Sequence, residues 1–72
     1  MNVIEVKKRC LELDISPTDW ADCLNITVQH AYKKISGKSP LTLWQADKIQ
    51  KLLHISDDEF AFYFLSRHSR IS

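Results

Sequence analysis

Lys33, Lys34 and Lys38 fall within residues 27–39, a stretch that contains no Asp or Glu. Ammonium groups gathered without counter-charge suit one chemistry above others, the holding of phosphate oxygens. The positive charge is local. Residues 1–26 carry five acids against three bases, and the chain as a whole has a formal net charge of only +1. One copy therefore has little overall attraction for a polyanion. Bond-making chemistry finds less support. Cys10, Cys23, His30, His54 and His68 show no CxxC or HxxxH ligand spacing, so no metal site is expected. No GxSxG, HExxH, P-loop or Cys/His arrangement is present, and a short helical chain leaves little volume for a substrate pocket. The expectation is a protein that is no enzyme and takes no cofactor, with Cys10 and Cys23 as small apolar side chains in a reducing compartment rather than a disulfide.

The elements that must position the lysines are helices. Pro17 to Gly37 predicts two short amphipathic helices, about 17–24 and 28–36, joined by a turn too tight for an ordinary loop. That is the helix-turn-helix plan, whose second helix is presented to a DNA groove. Ala21 is small where the helices cross, and Leu24 closes the first helix. Asn25 stands where the backbone must leave with positive φ, which Asn tolerates best after Gly. Ile26 plugs the corner, and Ala31 and Ile35 turn the second helix inward.

The rest of the chain extends this to five helices and no strands. Its 72 residues are 44% hydrophobic and 26% charged, with one Gly and two Pro, enough for one globular domain with a modest core. The first helix spans about Val3 to Leu13, with Val3, Val6, Cys10 and Leu13 on one stripe. Ser16-Pro-Thr-Asp19 starts the second, with Trp20, Ala21 and Leu24 buried. Thr27 caps the third, and Gly37 gives it a left-handed exit. Thr42 to Gln45 is a capping box opening the fourth, with Leu43, Ala46, Ile49 and Leu53 inward. Ser56 to Glu59 is another, and its acids complement the dipole of the fifth helix. His54 lies at the C-terminal end of the fourth, where a partly charged imidazole suits the dipole; His30 falls in the first turn of the third and faces solvent or phosphate. No repeat, linker or low-complexity segment is found. The first residues alternate apolar and charged types, unlike a signal peptide, and no apolar run is long enough for a membrane span, so a cytoplasmic location is expected.

The fifth helix is too apolar for one buried face. Phe60, Tyr63 and Phe64 form a stripe, and Phe62 with Leu65 extends apolar surface beyond it. Such a helix calls for a partner surface, which Trp44 would widen. Residues 67–72 form a short basic tail.

Ala21-x-x-Leu24-Asn25-Ile26-Thr27, followed by Ser36-Gly37-Lys38-Ser39-Pro40, resembles the Cro/C1-type (lambda-repressor-like) helix-turn-helix family of phage and bacterial repressors. Leu41 to Phe60 fits that family's fourth helix, turn and fifth helix. The resemblance covers residues 1–66 and extends to small prophage regulators, including lactococcal-phage modulators of repression. It implies a compact all-α, five-helix domain in a lysis–lysogeny switch, in the cytoplasm of a bacterial host. Its partners would be double-stranded operator DNA, a phage repressor protein, or both, with a homodimer through the fifth helix and neither membrane nor small-molecule substrate. By the same resemblance Thr27, Val28, Gln29, Tyr32 and Lys33 would enter the major groove. Gln29 would read adenine through its amide, Val28 would touch a thymine methyl, Tyr32 would meet phosphate or sugar, and Lys33 would hold phosphate. Ser36, the Gly37 N–H and Lys38 would clamp the backbone.

Two departures bear on this. Pro17 stands where many members have a phosphate-binding Gln, and Val28 and Tyr32 give the reading face more apolar area than base recognition needs. Both suit an alternative, an antirepressor that turns the same helix onto the repressor protein.

Overall fold

The structure, a computed structural model, describes residues 1–65, so the basic tail expected over 67–72 lies outside the described residues. The order is α1 (Val3–Glu12), α2 (Pro17–Leu24), α3 (Val28–Ile35), α4 (Leu43–Leu52) and α5 (Asp57–Phe60), the last running on into a π-helical turn over Ala61–Leu65. Among the described residues there is no strand. The all-α, five-helix expectation therefore holds.

Each helix starts on a capping side chain, the expected one at α2 to α5 and Asn2, not anticipated, at α1. The side chains of Asn2, Ser16, Thr27, Thr42 and Ser56 each accept a hydrogen bond from a backbone N–H in the first turn. Ser16 with Asp19 and Thr42 with Gln45 are complete capping boxes. At α5 the box is half made: the Ser56 hydroxyl donates to the Glu59 carboxylate at 3.3 Å, and no bond from the Ser56 N–H to that carboxylate closes it.

The helix exits reveal a recurrence that a search for domain-scale repeats passes over. Leu13-Asp14-Ile15-Ser16, Leu24-Asn25-Ile26-Thr27 and Leu53-His54-Ile55-Ser56 are three versions of one junction. The second residue is left-handed each time, with φ of 57°, 57° and 54°. The isoleucine N–H then reaches back to a carbonyl of the finished helix: Ile15 to Cys10 at 2.8 Å, Ile26 to Ala21 at 3.0 Å and Ile55 to Gln50 at 3.0 Å. Each isoleucine packs against the core, and the Ser or Thr after it caps the next helix. One tetrapeptide thus ends a helix, plugs the corner and begins another.

The core is centred on Val6, Trp20, Ala31, Ile49 and Leu53, all fully buried. Helices α2 and α3 pack on each other, α2 also packs on α4, and α1 lies against α3 and the π-helical turn. Two expectations change. Leu43, expected inward on α4, is 76% exposed, and the buried positions of that helix are Gln45, Ala46, Ile49 and Gln50. Leu43 is the first residue of α4, where the helix has not yet come under the core. Gln50 is tolerated inside because its amide donates to the Ile55 carbonyl at 3.1 Å and to Asp57 at 2.8 Å. The second change is the aromatic segment. Phe64 is buried, Phe60 and Tyr63 are half-buried, and Phe62 and Leu65 are exposed, as the stripe predicted. The backbone that arranges them, however, is one α-turn followed by a π-turn rather than a uniform α-helix.

Candidate nucleic-acid interface

The helix α3 is set by its two ends. Thr27 is extended (φ −74°, ψ 159°) and its hydroxyl accepts from the His30 N–H at 3.1 Å. At the other end Gly37 takes φ +82°, and its neighbour Lys38 returns an N–H to the Lys33 carbonyl at 2.9 Å. A Cβ at Gly37 would come 2.8 Å from a methyl of Val3, so glycine answers both the dihedral and the close approach of α1.

Ala31 and Ile35 hold the inner face, fully and partly buried. Val28, Gln29, Tyr32 and Lys33 then share an exposed arc of about 140°. Val28 is 40% exposed and Tyr32 60%. Thr27, as the cap, sits at the tip of this face, and exposed His30 flanks it. The Gln29 amide makes no hydrogen bond within the described chain, so both its donor and its acceptor face solvent. No acid occurs from Cys23 to Ala46, and the first turn of α3 carries none to compete for an anion.

The cations divide. Lys33 and Lys38 are exposed and pair with no acid among the described residues. Lys34 is half-buried and turned inward, donating to the Pro40 carbonyl at 2.8 Å and to the Ser39 hydroxyl at 3.5 Å. It ties down the loop after α3 rather than adding to the outer charge. The expected backbone clamp is likewise reduced. The Gly37 N–H donates to the Lys34 carbonyl at 3.2 Å, and the Ser36 hydroxyl donates to the Lys33 carbonyl at 3.1 Å. Both donors serve the helix exit, which leaves Lys38 as the outward-facing member of the three.

The other expected interface residues, Trp44, Phe62 and Leu65, are 55%, 51% and 61% exposed. Lys48 holds its ammonium 5.8 Å from the Trp44 ring centre. Leu43 adds to this surface beside Trp44, and periodicity had assigned it to the core. Between the 37–43 segment and the aromatic turn lies a cavity of about 520 Å³, bordered by Val3, Pro40, Leu43 and Phe64.

The remaining titratable groups have structural surroundings. Cys10 is buried and Cys23 half-buried, both as free thiols. Burial pushes the Cys10 thiol above its ordinary value, partly offset by the Trp20 indole N–H facing it. The indole nitrogen is buried with no other hydrogen-bond partner. His54 is the left-handed residue after α4 and is exposed. The carbonyls at that helix end are met by Arg9 rather than by the imidazole. Among the described residues no three His, Cys, Asp or Glu side chains gather as a metal site would need, and no helix is long and apolar enough to cross a membrane. Set against family models, curated proteins and solved structures, the chain matches none.

Proposed function

We propose that this chain is a Cro/C1-type helix-turn-helix regulator of phage type, a non-enzymatic switch protein that reads operator DNA with α3. The observation that carries the reading is the Gln29 amide. It is free of internal hydrogen bonds on an exposed face beside Lys33, within a stretch of chain that has no acid. A free amide on a helix held by two neighbours is what adenine recognition in the major groove requires. The outward charge of Lys33 and Lys38 is modest, whereas a regulator binding alone commonly neutralises about six or more phosphates. A second subunit on the DNA would make up the difference.

A gel shift against the promoter region next to its gene, at two salt concentrations, tests this. The expected result is a sequence-specific shift by the protein alone that weakens steeply with salt.

The alternative is an antirepressor, favoured by the exposure of Val28 and Tyr32 on the same face. In that reading α3 packs on the partner repressor. The protein alone then gives no shift, but alters or abolishes the shift made by the neighbouring repressor.

A further inference from the structure

A second surface has chemistry unlike that of α3. Beside α4 and α5 lies an open groove of about 800 Å³, lined by Leu43, Trp44, Asp47, Gln50, Asp57 and Phe60. Leu43, Trp44 and Phe60 supply its apolar lining, Asp47 and Asp57 its carboxylates, and no basic residue lines it. Lys51 pairs with Asp47 at 3.0 Å. Asp57, by contrast, has no basic partner among the described residues, and Asp58 and Glu59 continue its charge through the first turn of α5. A lining of apolar side chains and carboxylates selects apolar side chains flanked by cations.

The chain presents one such surface itself. On the outer side of α1, Ile4 and Leu11 are 71% and 81% exposed. They stand seven residues apart on one line, roughly 10 Å along the helix. Exposed Lys7 and Lys8 lie on either side of that line, Lys7 without an acidic partner among the described residues and Lys8 3.6 Å from the Glu5 carboxylate. Among the described residues nothing covers either groove or stripe, and neither meets the other.

We propose that the Ile4–Leu11 stripe of one copy docks in the α4–α5 groove of a second, joining copies head to tail. Such a contact uses two different surfaces, so each added copy leaves one free groove and one free stripe. The assembly needs no DNA and stands apart from the reading of α3.

Sedimentation of the full chain, with tryptophan emission followed in parallel, tests this. Trp20 is fully buried in every copy, so a concentration-dependent blue shift reports Trp44 entering the contact. The wild type self-associates with Kd on the order of 100 μM, as suits a small interface. Leu11→Asp, and separately the pair Lys7→Glu and Lys8→Glu, weaken this about tenfold or more. Leu43→Lys does so from the groove side. All these positions are exposed, and far-UV circular dichroism checks that each variant folds. Mixing Leu11→Asp, which keeps its groove, with Leu43→Lys, which keeps its stripe, restores association that stops at a one-to-one pair. A wild type that stays monomeric at about 1 mM overturns the proposal. A dimer that survives Leu11→Asp, or variants that fail to pair when mixed, overturns it in favour of a symmetric contact.

Discussion

The guanidinium of Arg9 closes α4 through the main chain of Leu53. Nε donates to the Leu53 carbonyl at 2.9 Å, and Nη2 donates to the His54 carbonyl at 3.0 Å. A cation from α1 thereby meets two carbonyls at the negative end of another helix. The third contact, to Glu12 at 3.4 Å, is exposed and adds little. Arg9→Ala should cost about 2 kcal/mol in urea unfolding, from two charge-assisted bonds at a partly buried site. Arg9→Lys should recover less than half of that, since a point charge cannot span both oxygens. Full stability in the lysine variant would show that charge alone matters.

Gly37 and Val3 form a steric pair that a double-mutant cycle can separate. Gly37→Ala meets the Val3 methyl and places a Cβ at φ +82°, and a loss of roughly 2 kcal/mol is expected. Adding Val3→Ala should return the steric share and leave the dihedral share of about 1 kcal/mol. Strict additivity of the two losses would show that the clash is relieved by backbone movement instead.

At the three Leu-x-Ile-Ser/Thr junctions the left-handed residue is Asp14, Asn25 or His54. Glycine relieves the Cβ strain at such a site, most where the resident residue tolerates it least. His54→Gly should therefore raise stability by about 0.5–1 kcal/mol, and Asn25→Gly by less. Thermal melts of the two variants settle the order, and destabilisation by His54→Gly would give the imidazole a role of its own.

Burial raises the Cys10 thiol, and the sign of the consequence follows. Below about pH 9, the ordinary thiol value of 9.0, both native and unfolded chains keep the proton and stability is unaffected. As pH rises beyond that, the unfolded chain ionises first, so stability falls until the native thiol follows. Urea midpoints measured from pH 8 to pH 10.5 should decline more steeply in the wild type than in Cys10→Ala. Parallel slopes would mean that the thiol ionises as easily inside as outside.

For the α3 face, Gln29→Ala should relax preference at one operator position, at a cost of about 1–3 kcal/mol there. Val28→Asp separates the two readings of the same face. It should abolish packing against a repressor while only weakening salt-sensitive DNA binding. An unchanged operator preference in Gln29→Ala removes Gln29 from the role of reader.

What the sequence discloses here is what acts locally. Ser16, Thr27 and Thr42 are legible as caps because each bonds a backbone N–H three residues on. Asn25 and Gly37 are legible because left-handed backbone admits few residue types. Arg9 is illegible, since its acceptors lie 44 and 45 residues away and an exposed-looking arginine on α1 gives no sign of them. Gln50 hides for a related reason: a polar residue at a buried helical position looks like an error until its partners at Ile55 and Asp57 are known. Leu43 shows the limit of periodicity, which finds a stripe without showing where the helix overruns the core. The run Phe60 to Leu65 is apolar throughout, so the stripe of Phe60, Tyr63 and Phe64 gives the buried side while the π-turn leaves no trace. The face of α3 emerges as expected, whereas the inward course of Lys34 depends on the path of the loop that it binds.

The Asn2 N–H donates to the Tyr63 carbonyl at 2.8 Å, and this bond closes a loop that contains almost all of the described chain. Closure over such a span requires nearly every intervening turn to be in place first, which makes this bond one of the last to form and the whole fold its precondition. An amide exchanges its hydrogen when the bond that holds it opens. Here the Asn2 amide should exchange only when the aromatic turn also lets go. A single slow peak at the beginning of the chain would then act as a sentinel for an event at its far side.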